Sequence, residues 1–232
     1  MKILLTSIGS FLIVCCLHAQ DLTDENVRFY METVNNHASI YSGKEEPRYK
    51  VKIQNHPYLD TEEFRKGTLQ MNGTFYPDVL MRMNQDIEEL SVLSPNRNYS
   101  VLIPREQLDH AQIDSLFIIY HKPVSADGRI LPEGYYIRLY AGDTPVWKRK
   151  TSFLNSRINN MSLEYFFENT TRIYVYRDGI YHPVNSKKSM FKLFATQKKE
   201  LKKMMKQSGL KYRDNPEKVV VAITKYYDEL NK

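Results

Sequence analysis

Between residues 67 and 183 the apolar positions recur at every second residue, in short runs broken by Gly, Asn, Asp or Pro about every ten residues. A period of two marks a strand with one buried face, and turns at that spacing predict an antiparallel meander. Asn72-Gly73 lies between Thr68 to Met71 and Thr74 to Tyr76, and Asp178-Gly179 between Arg172 to Arg177 and Ile180 to His182. Both pairs suit a two-residue hairpin, which needs left-handed backbone at both turn positions. Gly142-Asp143 is a third candidate, between Tyr135 to Tyr140 and Val146 to Lys150. Further strands are expected at Val79 to Met83, Leu90 to Leu93, Tyr99 to Ile103, Ser115 to Tyr120 and Met161 to Phe167, with a loop over Ser125 to Pro132.

After Pro183 the apolar period becomes helical. Helices are expected over Lys187 to Phe194 and over Gln197 to Gln207, the second with Leu201, Met204 and Met205 inward and Gly209 as its stop. Asn215 then caps a helix that opens on Pro216 and carries Val219, Ile223, Tyr226 and Leu230 as its apolar stripe. At the other end, Val27, Tyr30, Met31 and Val34 predict an amphipathic helix over Asp21 to Ser39. Ser42 to Asp60 holds Gly43, Pro47 and Pro57, so one short strand at Tyr49 to Ile53 is all that is placed there. Helix, many strands, then helices is the order of an α+β fold: an antiparallel β-meander sheet with an N-terminal helix and C-terminal helices packed against it.

The first residues change the picture. Lys2 followed by the mostly apolar Ile3 to Leu17 reads as a secretory signal cleaved after Ala19. A lipid anchor on Cys15 or Cys16 is the rival, with poorly matching residues before either cysteine. Cleavage leaves 213 residues (232 minus 19), no cysteine and no transmembrane span. Disulfides and thiolate zinc sites are then excluded. The chain divides into the signal (1–19), an N-terminal helix and linker (20–66), the β region (67–183) and a basic helical region (184–232), with 20–232 taken as one domain.

The formal charge of +6 is concentrated. From Ser186 to Arg213 there are ten Lys or Arg and one acid, Glu200. Such asymmetry suits an anionic partner, although a solvated helix face has the same composition. Lys198, Lys199, Lys202 and Lys203 are the candidate binding residues in this region. A second candidate surface is aromatic: strand alternation puts Tyr136, Arg138 and Tyr140 on one face of their strand, and Arg172, Tyr174 and Tyr176 on one face of theirs. Side by side, the two rows would offer rings for stacking a sugar, a base or a peptide. Tyrosine pairing across strands, or burial under the terminal helices, is the alternative.

No catalytic residue is assigned. His37, His56, His110, His121 and His182 stand singly, Gly-x-Ser-x-Gly and phosphate-loop motifs do not occur, and the acid pairs Glu45-Glu46, Glu62-Glu63 and Glu88-Glu89 point apart on regular structure. No cofactor or metal is expected.

The run GTLQMNGTFYPDV (Gly67 to Val79), and the run DGIYHPVNSKKSMFKLF (Asp178 to Phe194) with its lysine-rich continuation and closing Tyr226-Tyr227, resemble uncharacterised exported proteins of Bacteroidetes. The resemblance implies the bacterial envelope and no activity. The resulting expectation is a non-enzymatic periplasmic, envelope-associated or secreted protein that binds an anionic envelope component or another envelope protein, not nucleic acid. A carrier of an apolar or lipid ligand and an enzyme with a dispersed site are the alternatives.

Overall fold

The computed structural model describes residues 29, 39–122 and 131–231. The expected signal segment lies outside the described residues. So does the expected N-terminal helix, apart from Phe29, which is helical, and Ser39. Most of the loop expected at Ser125 to Pro132 lies outside them too.

Among the described residues ten strands form one antiparallel sheet: β1 (Arg65–Met71), β2 (Thr74–Asn84), β3 (Glu89–Leu93), β4 (Ser100–Leu102), β5 (Leu108–Ile113), β6 (Leu116–His121), β7 (Gly134–Tyr140), β8 (Val146–Asn159), β9 (Ser162–Arg177) and β10 (Ile180–Pro183). Three helices follow: α1 (Lys187–Leu193), α2 (Lys198–Gln207) and α3 (Pro216–Leu230). The order β10-β9-β8-β7-β6-β5-β1-β2-β3-β4 is two meanders joined where β1 pairs with β5. This is the α+β class with C-terminal helices that the periodicity predicts.

Turn chemistry sets the local registers. Asn72 and Gly73 have φ of 51° and 75°, and Asp178 and Gly179 have φ of 52° and 77°, so both predicted tight hairpins form. Gly142-Asp143 departs from that pattern: β7 ends at Tyr140 and β8 begins at Val146, a longer connection. The two short strands expected around Pro77 are one strand, β2. Thr68 opposes both Pro77 and Asp78, a bulge that accommodates a proline with no N–H to give the ladder. Gly67 precedes it because a Cβ there would lie 2.0 Å from the Gln112 carbonyl oxygen of β5.

The β8–β9 hairpin turns at Asn160-Met161, with φ of 46° and 60°. A methionine in left-handed backbone costs roughly 1–2 kcal/mol relative to glycine, and Met161 is 99% exposed, so it makes no compensating contact. Met161→Gly is therefore expected to stabilise the protein by about 1 kcal/mol, read as a higher urea midpoint at unchanged slope.

Directly paired residues share a sheet face. One row runs Ile118, Ile137, Lys148, Ile173 across β6 to β9. On this inner face the first seven strands bury Leu69, Met81, Leu90, Ile113 and Ile118 in one core, and β8 and β9 bury Val146, Ile173 and Val175 against Phe191, Phe194, Leu201, Val220 and Ile223 of the helical region. Lys148 is buried on the same face and donates to Glu217 in the first turn of α3 at 2.8 Å.

No strand forms at Tyr49 to Ile53, contrary to expectation. Residues 43–59 form a strap that joins two edges of the sheet. Glu46 donates its backbone N–H to the Ser100 carbonyl of β4, Gln54 donates to Tyr165 on β9, and Leu59 donates to Met83 on β2. The Asn55 amide bonds both the N–H and the C=O of Phe167, standing in for a strand residue. Prolines at 47 and 57 remove donors from this stretch, so it crosses between edges without extending either. The sheet curls enough for β8 to meet the β2–β3 turn: Ser152 donates to the Gln85 carbonyl at 3.0 Å, Arg149 pairs with Glu88 at 2.8 Å and Lys150 with Asp60 at 2.7 Å. Burial alone would raise the Asp60 carboxyl, but Lys150, with Lys148 and Arg65 further off, outweighs it and holds the carboxyl below its ordinary value.

Candidate binding site

The basic helical corner is built by three local devices. Ser186 and Ser189 form a reciprocal capping box that opens α1, with Lys187 as its first residue. Lys202 and Lys206, four apart, share one face of α2. The helix then stops as a Schellman turn: Leu210 donates to the Met205 carbonyl at 3.1 Å and Gly209, at φ 63°, to that of Lys206 at 3.2 Å. That turn lays Leu210 beside Met205 and aims the chain at Lys211.

The product is an open groove of about 490 Å³, with Met205 and Leu210 as apolar floor and Lys187, Lys202, Lys206 and Lys211 around it. No carboxylate lines it. None of the four lysines is in an ion pair with another described residue. Lys202 also lies over the Phe191 ring at 5.8 Å, which holds its stem against α1. Four unneutralised ammonium groups above two apolar side chains suit an anion that carries apolar substance.

Of the four lysines expected from sequence, only Lys202 joins this groove. Lys198, Lys199 and Lys203 are exposed on α2 outside it. Lys206 was legible from its spacing to Lys202. Lys211 follows from the turn that ends α2, whereas Lys187 belongs to α1, and only the packing of α1 beside α2 brings it in.

The aromatic candidates lie on the outer face, away from the helices. A second row runs Phe117, Arg138, Trp147, Tyr174 across β6 to β9, with Tyr136 opposite Ile119 and Tyr176 opposite Tyr181. Tyr136 and Tyr174 do not present rings to solvent. They are 0% and 7% exposed, meet edge to face at 5.8 Å and bury Leu131, and the Tyr136 hydroxyl donates to the Pro132 carbonyl at 2.8 Å. Tyr176 packs on Tyr181 at 4.7 Å, and the Arg138 guanidinium covers Phe117 at 3.8 Å. Arg172 is exposed and borders a separate recess of about 560 Å³ with Tyr212 and Glu217.

Tyr140 is a correction. The register shifts between Arg138 and Tyr140, which brings Tyr140 opposite Val146, an inner-face residue, and packs it against the helical core. Strict alternation fails there because the bulge adds one residue. His121 joins the outer cluster 6.1 Å from the Tyr136 ring, and burial holds it below its ordinary value.

The strap roofs a polar cleft of about 440 Å³. Its centre is the Arg82 guanidinium, sandwiched between the Tyr58 and Phe64 rings at 3.9 and 4.2 Å. Arg82 donates to the Glu46 carboxylate at 2.9 Å, and the Ser100 hydroxyl donates to the same oxygen at 2.9 Å. Burial pushes the Tyr58 hydroxyl up, with the Glu46 carboxylate acting the same way and Arg82 opposing them. These groups bind one another, which makes the cleft a fastening for the strap.

Among the described residues no cluster of three or more His, Cys, Asp or Glu is placed to hold a metal ion, and no helix is long and apolar enough to cross a membrane. Fold and groove together define an α+β protein with a concentrated cationic site. No family model, curated protein or solved structure matches the chain.

Proposed function

We propose that this is an exported, envelope-associated binding protein without a reaction of its own, whose basic helical corner holds an anionic envelope component. The observation that carries the reading is the groove of Lys187, Lys202, Lys206 and Lys211, four cations on an apolar floor with no carboxylate among the lining residues. Burying the Met205 and Leu210 floor under an acyl or other apolar group adds hydrophobic attraction to charge attraction. The signal-like first residues and the likeness to exported proteins support the location. The carrier alternative draws no support from the sheet's interior, which Leu69, Met81, Leu90, Ile113 and Ile118 fill at 0% exposure.

The test is flotation with phosphatidylcholine vesicles that contain or lack phosphatidylglycerol. A basic side chain near an anionic surface contributes about 1 kcal/mol, so changing Lys187, Lys206 and Lys211 together to Gln is expected to weaken binding roughly 100-fold. Changing Lys198, Lys199 and Lys203 to Gln removes the same net charge and is expected to cost at most about tenfold, by the screened attraction of charges outside the groove. Equal losses in the two variants, or no binding by the parent chain, would remove the groove from the account.

A further inference from the structure

Beyond Arg149 on one strand and before Arg172 on the other, the β8–β9 hairpin leaves the sheet. β8 pairs with β7 only from Val146 to Lys148, and β10 covers β9 only from Tyr174 to Arg177. The strap braces the outer edge of β9 at Tyr165 and Phe167. Among the described residues the outer edge of β8 has its last partner at Ser152, whose N–H goes to Gln85. From Phe153 to Asn159 seven consecutive residues are exposed on both faces as well as along the edge. Phe153 is 57% and Ile158 81% exposed.

The direction of the free backbone groups follows from the ladder. Ser152 donates outward, and Tyr165 and Phe167, which pair with Ser156 and Leu154, also turn their backbone groups away from β8. The N–H and C=O of Leu154, Ser156 and Ile158 therefore point away from β9 and meet no described residue. Natural edge strands are protected by proline, lysine, a bulge or a cover. This stretch has none among the described residues, and its one charge, Arg157, is engaged by Glu164 at 2.9 Å.

We propose that two copies of this chain pair through β8, antiparallel about a two-fold axis at Ser156, into a continuous four-stranded ribbon. This register uses all three free residues. Ser156 meets Ser156 of the other copy, and Leu154 meets Ile158, each pair exchanging two backbone hydrogen bonds. It also aligns side chains, because Ile158 already faces Leu163, and Leu154 faces Phe167. The joined ribbon then carries two unbroken apolar rows, Leu163–Ile158 of one copy continuing into Leu154–Phe167 of the other. A register centred one residue earlier would set Ile158 against Ser152, whose N–H is already bonded to Gln85. Seven residues give about 24 Å of edge, which buries less than the roughly 800 Å² per partner of a standard stable interface. The dimer is accordingly expected at micromolar concentrations and above.

The test uses the full chain with Cys15 and Cys16 changed to Ser. In the paired ribbon the two Ser156 Cα atoms stand about 5.5 Å apart, within disulfide reach, whereas the two Asn155 Cα atoms lie on a diagonal of roughly 7–8 Å. Ser156→Cys is expected to give a covalent dimer under mild oxidation, and Asn155→Cys to stay mostly monomeric. Sedimentation of the chain without added cysteine is expected to show a concentration-dependent dimer. Ser156→Pro, which removes only an outward N–H, abolishes it at unchanged circular dichroism. A monomeric Ser156→Cys under oxidation, equal cross-linking at both positions, or a Ser156→Pro protein that still dimerises would overturn the proposal. So would a parent chain that stays monomeric while its β8 edge captures a strand of another protein.

Discussion

Replacing Arg82 with methionine is expected to cost the folded state about 3–5 kcal/mol, the loss found when one member of a buried ion pair is removed. The Glu46 side chain is 2% exposed, and its bonds to Arg82 and Ser100 converge on one oxygen. Without the guanidinium, a buried carboxylate keeps only hydroxyl partners. The substitution also removes the stack between Tyr58 and Phe64 and the bond from Arg82 to the Glu62 carbonyl at 2.9 Å. Those contacts hold the strap on the outer face of β2, so its protease sensitivity is expected to rise with the loss of stability. Adding Glu46→Leu to Arg82→Met removes the stranded charge, and the double variant is expected to recover part of the deficit. Urea unfolding measures all three proteins. A single-variant cost below about 1 kcal/mol would mean that Glu46 finds water or a new partner, since an exposed pair is worth no more than that.

The second large effect is expected at Phe194. It closes α1, is 0% exposed, and lies 4.6 Å from the Tyr227 ring of α3 with the Arg177 guanidinium 5.9 Å away. Phe194→Ala removes a fully buried ring from the junction of α1, α3 and β9. Such truncations cost about 3–5 kcal/mol, roughly 10 °C of melting temperature for a chain of this size. Phe194→Leu keeps most of the volume and is expected to cost less than half as much. Because the first seven strands have their own core, hydrogen exchange in Phe194→Ala is expected to quicken first in the helices and at Ile173 and Val175, not at Leu69 or Ile118. Uniform quickening would show that the two cores unfold as one.

The tight hairpins at Asn72-Gly73 and Asp178-Gly179 were legible because their signal is contained in adjacent residues. Asn160-Met161 was missed because methionine is no turn former; the long β8–β9 ladder holds it in left-handed backbone. The strap was invisible for the opposite reason. Asn55 and Gln54 are ordinary polar residues in sequence, and they become edge partners only once β9 passes beside them. For the candidate site, composition located the cationic region, but of the groove's four lysines only Lys202 was among the candidates; its four-residue spacing to Lys206 was a signal that could have added a second.

What the sequence by itself determined is whatever depends on neighbours along the chain: strand period, turn residues, helix caps and stops, and therefore the α+β class and the antiparallel hairpin pairing, but not the place where β5 leaves the meander to pair with β1. What only the tertiary structure decided depends on residues distant in sequence. The bulge that turns Tyr140 inward is a register shift between β7 and β8. The burial of Tyr136 and Tyr174 depends on the return of Leu131 and Pro132 across them. The meeting of Lys187 with Lys211 depends on how α1 packs on α2, and the free edge of β8 on where β7 stops. Periodicity assigns a residue to a face, but what covers that face is set by the sheet's curl and by segments that cross it.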